Sequence, residues 1–468
     1  MEKEKREVLM RIIGENFGPL INFDIKIKPF TLFIGPNASG KSYVAYLIWC
    51  LFKVEPDFDE LDKILQNHVK DIKDTNLIKN IKDFLKNIFY NLDLFYVELE
   101  DLLKDTFSIN EVSELIREGA EKAKFAITND DGSAKISFSL TKEKGLQLQK
   151  IEGIEDKIES LEIKTKRAIR NTSGIKVILL MNGEELYSLD LQSSKDIYKL
   201  SSFIPIAFQE IFDGYFPYFE VPLLPDGKAG LMRAHSAIVY LLMDRKWKPV
   251  IPLNAADAEF MRAFEILEPR IKNKEIANLA SFIEEKINAQ FLLYREPPRY
   301  VVKIRGLEMP IERAPSGHRE IASLILTLKY GLRKDAMLIM EEPEAHLHPN
   351  AHSIITRALA GLSKFSDVLI TTHSVYILDE ISNLIKLNEL NSIEKKELGY
   401  EEWEGIKPDD VGIYFFSFDG KVKSLEITEE GIEESGLDQV VLEMANAHAR
   451  VESKFESKRV SKQYSTKL

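Results

Sequence analysis

The residues with the clearest chemistry are Gly35-Pro36-Asn37-Ala38-Ser39-Gly40-Lys41-Ser42. They fit G-x-x-x-x-G-K-[ST], a loop whose backbone N–H groups curl around a phosphate. The start of a following helix adds a partial positive charge. In such a loop Lys41 reaches the β- and γ-phosphates and Ser42 holds Mg²⁺. A Gly-rich turn that merely ends in Lys-Ser is the competing reading, and context decides between them. The apolar run Phe30-Thr31-Leu32-Phe33-Ile34 reads as a buried strand before the loop, and Tyr43 to Trp49 read as a helix after it. That strand–loop–helix order is the one the motif requires.

Far along the chain, Ala336-Met337-Leu338-Ile339-Met340 runs into Glu341-Glu342-Pro343. An apolar strand ending in two acids is the Walker B pattern. Glu341 would orient Mg²⁺ and its waters, and Glu342 would polarise an attacking water. Glu is one methylene longer than the Asp usual at the first position, so contact through a water is expected. Taken alone, the pair is also readable as an exposed acidic strand end. Ser316, in Ala314-Pro315-Ser316-Gly317-His318-Arg319-Glu320, reads as the N-cap of a helix over Ile321–Leu328, a second helix start suited to phosphate. Val368-Leu369-Ile370-Thr371-Thr372-His373-Ser374 reads as a strand ending in a polar cluster, with His373 31 positions beyond Glu342. Glu344, His346, His348 and His352 admit two readings, a metal cluster or a loop continuing from the acids.

In this order the motifs resemble the ABC-type ATPase heads of chromosome-maintenance and DNA-repair proteins, the SMC/RecF/OLD branch. They are most similar to the overcoming-lysogenization-defect (OLD)-like ATPases. The resemblance is carried by Asn16-Phe17-Gly18-Pro19-Leu20, the phosphate loop, Ser316-Gly317, Glu341 through Pro349, and Thr371-Thr372-His373-Ser374. It covers about residues 8–50 and 298–435. It implies an α/β P-loop NTPase of ABC type that uses ATP and Mg²⁺. It also implies that two copies sandwich two ATP molecules, with Ser316 and Gly317 contacting the γ-phosphate bound to the opposite subunit. Glu344 to His348 fall in the loop joining the two sites, and His373 matches the switch histidine that senses the γ-phosphate. Ser-Gly-His-Arg stands where transporter-type relatives have Ser-Gly-Gly-Gln. Gln209 is the candidate for the glutamine loop that would link Mg²⁺ to the neighbouring domain; it also reads as a surface helix residue. About 95 residues follow His373, and they lack the Asp-x-Asp pair of a Toprim nuclease. The expected activity is ATP hydrolysis that gates a DNA or nuclease partner in repair or antiphage defence. The alternatives are a non-catalytic ATP-dependent scaffold and a transporter subunit. A GTPase is disfavoured, because Asn273-Lys274-Glu275-Ile276 lacks the guanine-reading Asp.

Composition narrows the setting. The single cysteine, Cys50, excludes an internal disulfide and fits a reducing cytoplasm. The net charge of −12 argues against a generally basic nucleic-acid binder, though a local basic patch is compatible with it. No apolar run is long enough to span a membrane, and the charged N-terminus lacks the apolar core of a signal peptide.

The roughly 300 residues between the phosphate loop and the acids must hold an insertion. The expected division is 1–56 and 225–440 for the head, 57–224 for a mixed insertion and 441–468 for a tail. Residues 57–130 read as amphipathic helices, from Leu61, Ile64 and Leu65 through Ile78, Ile81, Phe84, Leu85 and Ile88. Strands are expected at 136–140 and 175–180, with a hairpin turn at Asn182-Gly183. Residues 257–290 read as helices. Hairpins are expected around Arg305-Gly306 and Asp419-Gly420. Lys228, in Leu224-Pro225-Asp226-Gly227-Lys228, reads as a solvated loop lysine, although OLD-like relatives have Leu-Pro-Ala-x-Arg there. The end after Arg450 reads as a frayed, weakly basic tail.

Overall fold

The computed structural model of the protein describes residues 10–53, 63, 77–90, 93–153, 155–167, 175–193, 196, 199–200, 202–211, 220–243, 253–295, 298–429, 431–432, 450–451 and 454. At its centre is a six-stranded sheet. Its members are β3 (Phe30–Ile34), β10 (Leu223–Leu224), β14 (Met337–Glu341), β15 (Asp367–Thr372), β16 (Val411–Phe416) and β17 (Val422–Ser424). The spatial order is β10-β14-β15-β3-β16-β17. All neighbours pair in parallel except the edge strand β17.

Parallel strands covered on both faces must be apolar at consecutive positions, not alternate ones. Here Leu32, Ile34, Leu338, Met340, Val368, Ile370 and Ile413 point into one core. Phe33, Met337, Ile339, Leu369, Tyr414 and Phe416 point into the other. The first core is closed by helices Ala255–Glu265, Lys274–Ile287, Ser316–Leu326, Pro349–Leu362 and Val375–Lys386. The second holds helix Lys41–Lys53 and an antiparallel sheet. That sheet has the order β2-β1-β4-β5-β6, from β1 (Met10–Glu15), β2 (Asn22–Lys26), β4 (Lys122–Asn129), β5 (Lys135–Thr141) and β6 (Gly145–Glu152). Phe17 is its hub, fully buried with its ring edge-on to Phe23, Tyr43, Phe107 and Phe125. At φ +54, Gly18 lets the Tyr43 ring lie where a Cβ would stand, 2.3 Å away.

The helical expectation for 57–130 holds only in part. Helices span Leu77–Tyr90 and Asp93–Phe107, but 122–129 is strand β4. Its Ala123, Phe125 and Ile127 are buried at period two, with Phe125 and Ile127 paired across β1 and Ala123 across β5, so contact with the neighbouring strands decides the conformation. Residues 122–152 thereby join the sheet of β1 and β2. The side chains of Leu61, Ile64, Leu65, Ile78 and Ile88 lie outside the described residues, as does nearly all of the tail.

The remaining sheets are local. Strands β7 (Leu161–Arg167), β8 (Ile175–Met181) and β9 (Glu184–Leu191) form one, with the expected turn at Asn182-Gly183. Strands β11 (Ala289–Arg295), β12 (Pro298–Ile304) and β13 (Leu307–Pro310) form another, turning at Arg305-Gly306. The helix expected through 290 stops at Ile287, because Asn288 takes the left-handed conformation that ends helices. Asn273 is that helix's N-cap and accepts from the Ile276 N–H at 3.0 Å.

Candidate nucleotide site

Parallel pairing fixes the site. Thr372 is registered with Ile34, Phe415 with Ile34, and Glu341 with Thr371. The phosphate loop, both acids and His373 therefore leave the sheet at one edge, where the carboxyl ends of the strands open a crevice. Gly35 adopts φ +152, and a Cβ on it would meet the Phe416 carbonyl oxygen at 2.2 Å. Ala38 is left-handed at φ +60, a strained loop conformation for a residue with a Cβ. Pro36, Asn37 and Gly40 complete the curl into helix Lys41–Lys53. The Lys41 ammonium donates to the carbonyls of Gly35 at 2.9 Å and Pro36 at 2.8 Å. Burial lowers the pKa of Lys41, and Glu342, Glu344 and Glu341 oppose the shift. The Ser39 hydroxyl is buried without a hydrogen-bond partner, while Ser42 is exposed at the helix start.

Glu341 is 2% exposed. The Tyr46 hydroxyl donates to its Oε2 at 2.5 Å, and the Asp226 N–H reaches the same oxygen at 3.2 Å. Burial, reinforced by Glu341, pushes the Tyr46 phenol far above its usual range. Glu342 is left-handed at φ +41, and its N–H donates to the Thr371 carbonyl at 2.9 Å. Its carboxylate lies 3.5 Å from His373 Nδ1. Burial and then Asp226 raise the Glu342 pKa, while His373 opposes them. Asp257 is raised by its own burial and by Glu341 and Asp226. The oxygen donors of Ser42 and Glu341 beside the glycine-rich loop fit Mg²⁺, which takes one or two protein oxygens together with substrate phosphates.

His373 is held from behind. Glu344 accepts from its N–H at 3.1 Å and from the Thr372 hydroxyl. Thr372 in turn accepts from the Ser374 N–H at 2.9 Å, and the His352 ring lies 3.1 Å from the Ser374 hydroxyl. His348 caps helix Pro349–Leu362 through its ring nitrogen. Of the histidines with two readings, His348 thus serves the helix cap and His352 the loop, and the described residues contain no group of three His, Cys, Asp or Glu side chains arranged as a metal cage.

Ser316 is not an N-cap. Pro315 holds that place in an extended conformation, φ −54 and ψ 150, so the helix begins at Ser316 itself and no side chain caps it. Gly317 packs against the turn after the acids; a Cβ on it would stand 3.0 Å from the His346 carbonyl oxygen. Burial lowers the His318 pKa. Among the described residues no hydrogen bond or ion pair joins Ser316 or Gly317 to Lys41, Glu342 or His373. Gln209 lies in helix Phe203–Ile211, and its side chain lies outside the described residues.

The solvated-lysine reading of Lys228 is wrong. Its side chain is 0% exposed and ion-paired with Glu320 at 2.8 Å. No local sign of this stands in the chain, because the paired acid lies 92 positions away. Asp226, Asp257 and Tyr46 were also missed, each too far along the chain from the motifs it serves.

A P-loop joined to a parallel sheet, with paired acids and a histidine at the carboxyl edge, defines an ATPase head of ABC type. The AAA ATPase domain family matches residues 9–216 and 242–378, and the chain belongs to it. No curated protein matches the chain in sequence. Among solved structures it is similar to the Smc head domain of Pyrococcus furiosus bound to the C-terminal domain of ScpA, at 12% identity over 94% of this chain and 99% of that one, TM-score 0.41. The SMC head domain from Thermotoga maritima gives 11%, 80%, 91% and 0.33 in the same order. The recombination mediator RecF of the RecFOR pathway gives 13%, 89%, 98% and 0.34. No described helix is long and apolar enough to cross a membrane.

Proposed function

We propose that the protein binds and hydrolyses ATP, pairs with a second copy around two ATP molecules, and gates a DNA or nuclease partner as OLD-like ATPases do. The observation that carries the chemistry is the convergence of Lys41, Glu341, Glu342 and His373 at one sheet edge, with Glu342 3.5 Å from His373. Lys41 would exchange its loop carbonyls for β- and γ-phosphate oxygens. Ser42 and Glu341 would hold Mg²⁺, which when bound offsets charge on the phosphates. Glu342 would accept a proton from the attacking water, and His373 would orient that water toward the γ-phosphate. Ser316 and Gly317, free of the protomer's own catalytic groups, would serve the partner's ATP. In this reading 1–56 and 225–440 form the head together with strands β4–β6, 441–468 is a tail, and the protein works in the cytoplasm.

The test is phosphate release by purified wild type and by Glu342→Gln, alongside binding of a fluorescent ATP. Wild type should turn over, and Glu342→Gln should bind ATP without releasing phosphate. Unchanged turnover in Glu342→Gln would sink the assignment of the base.

A further inference from the structure

A buried lysine persists only where it is paired and its donors are used. Lys228 offers three N–H donors and lies within reach of three acceptors. These are the Pro225 carbonyl at 3.1 Å, the Glu341 carbonyl at 2.6 Å and Glu320 Oε1 at 2.8 Å. Each belongs to a different element. Pro225 follows β10, Glu341 ends β14, and Glu320 lies on helix Ser316–Leu326. The surrounding strap is tied the same way. The Asp226 N–H donates to Glu341 Oε2 at 3.2 Å, and the Ala229 N–H donates to Glu320 Oε2 at 3.0 Å. Arg319 donates to the Ala229 carbonyl at 3.2 Å. Residues 225–229 therefore grip the metal-binding acid on one side and the helix of Ser316 and Gly317 on the other.

We propose that Lys228 is a positioning residue that couples the two ATP sites of a paired head. It ties Glu341, which serves the protomer's own site, to Ser316 and Gly317, which serve the site of its partner. The inference rests on the paired-head reading above. A shift of Glu341 on taking Mg-ATP that left Lys228 behind would deprive a buried ammonium of the Glu341 carbonyl, so the shift passes through the Lys228–Glu320 pair to the helix. The coupling is reciprocal, because the free energy linking two binding events has one value in both directions.

The test compares wild type with Lys228→Met combined with Glu320→Gln, which removes both charges at similar volume and leaves no buried ion unpaired. ATP turnover is measured against ATP concentration. Fluorescent-ATP binding is measured without Mg²⁺, and thermal melting reports folding. Wild type should be sigmoidal, with a Hill coefficient approaching about 2. The variant should fall to about 1 with kcat reduced roughly fivefold or more, while Mg²⁺-free binding stays within about twofold. If the double variant does not fold, Lys228→Arg keeps the charge paired with Glu320 while changing the geometry of its donors, and should lower the Hill coefficient part of the way. A wild-type Hill coefficient of about 1 overturns the coupling alone. So does a variant that keeps the wild-type coefficient, and so does parallel loss of Mg²⁺-free binding and turnover, which marks a merely structural lysine. A wild type that does not hydrolyse ATP overturns the proposed function, and this inference with it.

Discussion

Glu342 carries opposing demands. Burial and the nearby acids, Asp226 foremost, disfavour its charge, yet a base must be ionised to act. Its pKa is raised above the ordinary carboxylate value of 4.5. The acid limb of the kcat/KM profile should therefore lie above pH 4.5, with turnover rising as pH climbs through the raised value. A limb at or below the ordinary value would sever Glu342 from the rate. The same shift affects stability. A group raised in the folded state stabilises below its unfolded pKa, and that stability is lost as pH rises through the folded value. Above that raised value, ionised Glu342 is thus a stability cost, and there Glu342→Gln should melt higher than wild type even as it loses turnover. Lys41→Ala should abolish ATP binding, read by fluorescence titration, because no other ammonium stands in the loop.

At the scale of elements, the phosphate loop depends on strand β16. Gly35 sits where a side chain would collide with the Phe416 carbonyl, at a φ that residues with a Cβ rarely adopt. Gly35→Ala should cost about 1–3 kcal/mol in chemical denaturation and weaken ATP binding together. Retained affinity with lowered stability would mean that the loop tolerates the displacement. The turn after the acids is held from within by Glu344, which accepts from Thr372 and His373. Glu344→Ala leaves the buried Thr372 hydroxyl without this acceptor, a loss of about 1–3 kcal/mol, and frees the half-buried His373 N–H. It should lower kcat more than ATP affinity, because the group it releases is His373.

At the scale of the molecule, the net charge of −12 makes general DNA attraction unfavourable. Any DNA contact must come from a local surface, and in the proposed reading pairing of two heads builds one. Glu342→Gln, trapped with Mg-ATP, should therefore bind double-stranded DNA with steep salt dependence, while the nucleotide-free protein should not. Absence of binding in both states, measured by anisotropy across a salt series, would turn the search to a protein effector.

The sequence by itself determined the elements that lie within short windows. The phosphate loop, the acid pair and the strand before His373 were legible because each motif and its flanking apolar run are contiguous, and strands buried on both faces show unbroken apolar runs. Only the tertiary structure decided the rest. Strand β4 was hidden among helical periodicities because its partner β1 lies more than a hundred residues earlier. Ser316 lost its capping role to Pro315, which stands at the N-cap of a helix that no side chain caps. Lys228 passed for a surface lysine because Glu320 and the Glu341 carbonyl that bury and pair it are brought to it only by the packing of helix Ser316–Leu326 beside the sheet. Burial and long-range pairing are properties of three-dimensional neighbours, and those neighbours have no local signature in the chain.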